Sequence, residues 1–152
     1  MGELYICMYV VLPHFFIMIR FKQKQYSQED RHIFLSYLSI LNGFLCRGKN
    51  LHWAAKGKDI HEYLDDLHEI IGKFQDAIAE GYMGILGQME PLDVQYVECS
   101  IEDPMKYIES LLSETLTFYK RIPEGSEFKG ISGETESFIQ DVQKYKYLFS
   151  LC

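Results

Sequence analysis

The stretch LHWAAKGKDIHEYLDDLHEIIGKFQDAIAE, residues 51–80, gathers side chains capable of metal or acid–base chemistry. It holds His52, His61 and His68, with Asp59, Glu62, Asp65, Asp66, Glu69, Asp76 and Glu80, and Trp53, the single tryptophan of the chain. Mixed imidazole and carboxylate donors suit iron, manganese or zinc better than calcium or magnesium. His61 and Asp65 stand at i,i+4 spacing, as do Asp76 and Glu80. On a helix that spacing lets two side chains reach one ion from adjacent turns. HEYLD lacks the second histidine of HExxH, so zinc-peptidase chemistry is not indicated. The competing reading of the same residues is a solvated polar helix face.

The elements that must position these residues read as helices. Ser27, followed by Glu29 and Asp30, opens a first helix. Ile33, Leu35, Leu38, Leu41, Phe44 and Leu45 carry it at helical spacing to about His52. Gly57 breaks it, and Asp59 with Glu62 resembles a capping box for a second helix running to about Tyr82. Gly81, Gly84 and Gly87 are expected to loosen its end, and residues 90–100 to form a connector. Asp103-Pro104 places a cap and a first-turn proline on a third helix ending near Arg121. Pro123, Gly125, Gly130 and Gly133 mark a loop. Ser132 is expected to start the fourth helix, with Phe138, Val142, Tyr145 and Leu148 as its buried stripe. Apart from the N-terminal arm, no run alternates as a strand. The expectation is an all-α fold, an antiparallel four-helix bundle with a short connector between the second and third helices.

A helical wheel gives the second helix two faces. At ~100° per residue with His61 at zero, Asp65 falls near about 40°, Asp76 near about 60° and Glu80 near about 100°. Ile60, Leu64, Leu67, Ile71, Phe74 and Ile78 centre on the other side, near about −100°. The candidate ligands therefore point away from the bundle core. His61 and Asp76 are also ~22 Å apart along the axis at 1.5 Å per residue. One copy of the helix cannot gather them. Two copies packed antiparallel about a two-fold axis can, with His61 and Asp65 of one meeting Asp76 and Glu80 of the other.

The whole chain bounds these readings. It has 152 residues, 15 basic against 22 acidic, for a net charge of −7. That balance argues against nucleic acid as a partner and suits attraction of cations. Cys7, Cys46, Cys99 and Cys152 are scattered with no CxxC pair, as expected of reduced thiols in a cytoplasmic protein. The apolar run LYICMYVVLPHFFIMI, residues 4–19, is broken by Pro13 and His14. It is short of the roughly 20 residues a membrane helix needs, and it lacks the basic flank of a signal peptide. Two readings remain: an upstream start with Met18 as the natural beginning, or an apolar arm that packs on the fold or on a neighbour. The division is thus residues 1–25 as arm or mis-assigned start, and 26–152 as the bundle. Arg20, Lys22 and Lys24 read as a solvated linker, and His14 and His32 as structural or surface residues.

Residues 52–80 resemble the Dps-like branch of the ferritin superfamily, small iron-oxidising and iron-storing proteins. The resemblance is carried by His52-Trp53, Lys56-Gly57, His61-Glu62-x-Leu64-Asp65 and Asp76-x3-Glu80. The distance between the two histidines is shorter than the usual Dps spacing. In that respect the chain is closer to uncharacterised ferritin-like proteins of bacteriophages. The resemblance implies a ferroxidase centre between two-fold related chains, with His52, His61 and Asp65 from one and Asp76 and Glu80 from the other. Asp76 and Glu80 would be the strongest iron ligands, Glu80 as a bridge. Trp53 would take up oxidising equivalents near the centre. The implied reaction is oxidation of Fe(II) by peroxide or oxygen, serving iron storage or protection from oxidative stress. The implied partners are metal ions and further copies of the chain, a two-fold dimer or a twelve-chain shell. The alternative expectation is a non-catalytic ferritin-like bundle acting as a structural or interaction protein, with a phage-encoded protein as one option. A membrane-associated bundle anchored by residues 4–19 is the third and weakest.

Overall fold

The computed structural model describes residues 5–12 and 15–22 as backbone, and residues 26–95 and 103–152 in full. Four helices make up the body: α1 (Gln28–Ala54), α2 (Lys58–Leu86), α3 (Pro104–Arg121) and α4 (Lys129–Phe149). A short 3-10 turn, Ser126–Phe128, leads into α4. Among the described residues the strands lie at the N-terminus, where β1 (Tyr5–Leu12) pairs antiparallel with β2 (Phe15–Lys22), in register from Tyr5↔Lys22 to Leu12↔Phe15. Valine, isoleucine, phenylalanine and tyrosine dominate both strands, and such side chains favour extended backbone. Among the described residues no helix is long and apolar enough to cross a membrane.

The helix boundaries follow from capping chemistry. Ser27 accepts a hydrogen bond from the Asp30 amide at 3.0 Å, and Asp30 accepts one from the Ser27 amide at 2.9 Å, closing a capping box. Asp103 accepts from the Lys106 amide, and Pro104 occupies the first turn of α3. The expected box at Asp59 and Glu62 does not form. α2 starts two residues earlier than that box would place it, at Lys58, with Gly57 as its uncapped N-terminal flank, so Asp59 lies in the first turn. There its charge faces the helix's positive end. Gly81 and Gly84 do not end α2 either, because the apolar stripe continues through Tyr82 to Leu86 and outweighs the cost of glycine. Gly87, at φ 92°, makes the stop. α4 begins at Lys129 rather than Ser132, since burial of Phe128 and Ile131 anchors the preceding turn.

Each helix buries one stripe. On α2 it is Leu64, Leu67, Ile71, Phe74, Ile78, Tyr82 and Leu86, at steps of three or four residues. Fully burying one such side chain contributes roughly 1.5–3 kcal/mol. α1 packs against α2 and α3, and α4 packs against the same two, so α2 and α3 stand across the diagonal. That explains the connector between them. Expected to be short, it runs from Gly87 to Asp103, because the chain must cross from one corner to the opposite one. Residues 96–102 of it lie outside the described residues. Its first part is strapped to the middle of α1: the Gln95 amide donates to the Ser39 carbonyl at 3.2 Å, and the Ser39 hydroxyl donates to the Asp93 carbonyl.

Aromatic layers fix the register. Tyr37 stacks on Phe118 with ring centroids 4.0 Å apart, and Phe74 on Phe138 at 3.9 Å. The buried Tyr37 hydroxyl is hydrogen-bonded to Thr115 at 2.8 Å, and burial pushes its phenol well above the ordinary range. Tyr107 donates to the Phe44 carbonyl at 2.9 Å and lies against Gly48, where a Cβ would run into its hydroxyl.

Gly48→Ala therefore sets two effects against each other. Alanine favours helix by roughly 0.5–1 kcal/mol, whereas overpacking costs roughly 1–3 kcal/mol. We expect a net loss of stability, read as a lower Tm. A raised Tm would mean that Tyr107 gives way freely.

Candidate metal centre

His52 lies in the last turn of α1 and His61 in the first turn of α2. Between the helices run only Ala55, Lys56 and Gly57. The Ala55 amide closes back on the His52 carbonyl, and the His61 amide on the Gly57 carbonyl. This tight reversal lays one imidazole on the other, with ring centroids 3.8 Å apart and planes tilted by 32°. The shorter histidine spacing thus leaves His52 beside His61. His52 is buried, at 8% exposure, while His61 is exposed.

The two rings are held reciprocally. His52 Nδ1 lies 3.1 Å from the His61 carbonyl oxygen, and His61 Nδ1 lies 3.0 Å from the His52 carbonyl oxygen. A carbonyl only accepts, so each ring donates from Nδ1. In the neutral form each Nε2 then carries a bare lone pair. Metal-binding histidines are prepared in the same manner, with the second ring nitrogen tied to a carbonyl or carboxylate.

Asp65 stands one helical turn beyond His61. Its Oδ1 is 3.7 Å from His52 Nδ1 and 3.0 Å from the Lys49 ammonium. The Lys49 hydrogen bond and charge hold the Asp65 carboxyl below the usual carboxylate range. His68 lies behind this group, its Nδ1 buried without a hydrogen-bond partner and its ring bonded to the Leu45 backbone. Burial, then the Lys49 charge, pulls His68 below the ordinary histidine range, so it is neutral at neutral pH.

Asp76 and Glu80 lie further along the exposed side of α2. By helical rise they are ~17 Å and ~23 Å from Asp65 along the axis. One chain therefore brings together His52, His61 and Asp65 and leaves Asp76 and Glu80 apart. Among the described residues of the single chain, no group of three or more His, Cys, Asp or Glu side chains is arranged to hold a metal ion. Trp53 projects into solvent at 69% exposure, directly after His52. His32 is exposed and within hydrogen-bonding distance of Ser36, while His14 lies outside the described residues. Cys46 and Cys152 are exposed free thiols, and Cys7 and Cys99 are outside the residues whose side chains are described.

Lys49 and the buried Nδ1 of His68 were not legible from spacing. Lys49 belongs to the other helix, and its reach to Asp65 depends on how the turn at 55–57 closes. The one available signal was its place three residues before His52, on the same side of α1. Comparison with protein-family models, curated proteins and solved structures finds no match for the chain.

The reciprocal bonds make a direct prediction. Imidazole ¹⁵N shifts should show both His52 and His61, when neutral, protonated at Nδ1. Free histidine favours the other tautomer, and finding that form at both rings would contradict this geometry.

Proposed function

We propose that this protein is a Dps-like, ferritin-like bundle that binds Fe(II) as substrate between two-fold related copies and oxidises it with peroxide or oxygen. The observation that carries the reading is the histidine pair, with both Nδ1 atoms committed to backbone carbonyls and both Nε2 lone pairs left for a cation.

The helix arrangement supports the fold half of this reading. From Phe34 to Tyr37 to Phe44 along α1, the partners on α3 run back from Phe118 to Thr115 to Tyr107. From Tyr63 to Phe74 to Gly81 along α2, the partners on α4 run back from Phe149 to Phe138 to Ile131. Neighbouring helices are thus antiparallel, and one long crossover joins the diagonal pair, as in ferritin-like folds.

In this reading His52, His61 and Asp65 form one half of the centre, and Asp76 and Glu80 of a second copy form the other. Imidazole binds the softer ferrous ion, and the carboxylates favour the harder ferric product. Carboxylate donors around Fe(II) would favour loss of one electron from each ion to the peroxide or oxygen, two Fe(II) reducing one peroxide to water. The chain's part is to orient donors, and Trp53 adds an oxidisable ring beside His52. The net acidic charge favours cation entry.

A second reading keeps the bundle without catalysis, as a structural or interaction protein. The Lys49–Asp65 ion pair favours it, since Asp65 is already neutralised within the chain.

Anaerobic Fe(II) titration followed by peroxide, with light scattering on the same sample, separates the two. The first reading expects a dimer or larger shell that binds and rapidly oxidises iron. It also expects Asp76→Ala/Glu80→Ala to weaken binding by at least the ~10–100-fold that losing even outer-sphere partners costs. A folded wild-type protein that binds no iron, or a double variant that oxidises it at the wild-type rate, rejects the ferroxidase reading in favour of the second.

A further inference from the structure

Among the described residues, Lys49 is a cation placed against the candidate ligands, and the centre as described above leaves it without a task. Its Nζ is 3.0 Å from Asp65 Oδ1, the same oxygen that lies 3.7 Å from His52 Nδ1. The carboxylate oxygen nearest the histidine pair is therefore already taken. The groups facing it are His52 on α1 and His61, Asp65 and His68 on α2, with Asp65 the single anion named among them.

We propose that the Lys49 ammonium is a resident counter-cation, held on Asp65 until a divalent ion displaces it. The proposal rests on the metal-binding reading and adds to it a gate on the same site. Three observations favour exchange over a fixed structural bridge. The Lys49 and Asp65 side chains are 35% and 57% exposed, and ion pairs this open hold weakly. The lysine stem is long and flexible, so the ammonium can swing into water without disturbing α1. Finally, a divalent ion beside Asp65 would repel the ammonium across a few ångströms, which drives it out as the ion settles. The resident charge makes the site selective as well. A monovalent ion gains nothing over the ammonium already present, whereas a divalent one gains a full unit of charge. Between visits by metal, the pair keeps Asp65 neutralised beside buried His52 and partly buried His68.

The test uses Co(II) as the probe, with the full-length protein and two variants. Lys49→Gln removes the charge and should tighten Co(II) binding by about tenfold, the scale of one unit charge repelling a divalent ion across a few ångströms of wet surface. Lys49→Arg supplies a planar fork that grips a carboxylate with two bonds and should weaken Co(II) binding instead. In the wild-type protein, acetylation of Lys49 measured by mass spectrometry should rise when Co(II) is added, since the amine is released. Equal Co(II) affinity in all three proteins, or acetylation that does not rise, would overturn displacement while leaving the metal site standing. Failure of all three to bind Co(II) would overturn the metal-binding reading and the gate with it. Circular dichroism of each variant confirms that a change in binding is not loss of fold.

Discussion

The candidate centre depends on one tight reversal. Ala55, Lys56 and Gly57 turn the chain from α1 into α2 so sharply that His52 and His61 bond each other's carbonyls. These are the carbonyl of the last turn of α1 and that of the first turn of α2. The carbonyls in the final turn of a helix lack the usual intrahelical partners, and at His52 the Ala55 amide and the His61 imidazole N–H both supply one. The same bonds that finish the helix end set the tautomer of both rings. The helix end and the orientation of the two imidazoles have one cause, and a change that loosens the turn should disturb both.

The second constraint is the division of α2 into two faces. Its apolar stripe, from Leu64 to Leu86, is buried against α1 and α4. The stripe determines which side remains for Asp65, Asp76 and Glu80, all of them exposed. A site inside the bundle would require carboxylates at positions where Leu67, Ile71 and Phe74 stand. The chain has instead a core of aliphatic and aromatic side chains and an acidic exterior. In the proposed reading, a centre built from these residues is completed from outside, by a second α2 running the opposite way.

Much of this was legible in the sequence, for identifiable reasons. The α2 stripe follows the helical period without interruption, so its faces could be assigned from spacing alone. Ser27 and Asp103-Pro104 announced two helix starts, because capping is local chemistry. Where the reading departed from the structure, a tertiary effect had prevailed over a local one. Burial of Tyr82 and Leu86 carried α2 past two glycines, and Phe128 and Ile131 pulled the start of α4 forward. Corner-to-corner placement of α2 and α3 demanded a longer connector than composition suggested. The N-terminal hairpin depends on pairing of Tyr5–Leu12 with Phe15–Lys22, which the apolar composition of the run does not specify. At the site, exposure of the ligand face was readable, but the stacking of His52 on His61 and the reach of Lys49 to Asp65 were not. Both depend on the closure of a turn, which spacing does not encode.

The central claim is that each centre takes its histidines from one chain and its distal carboxylates from another. Subunit mixing tests it most directly. One variant carries His52→Ala and His61→Ala, and the other Asp76→Ala and Glu80→Ala. Each alone should fail to bind Fe(II). After unfolding and refolding together, half of the dimers would be mixed, each with one complete centre and one reduced to Asp65, restoring about a quarter of the wild-type sites. Recovery of that fraction is the result expected. Mixed dimers that form, as shown by mass spectrometry, but bind no more Fe(II) than the parents would contradict a shared centre.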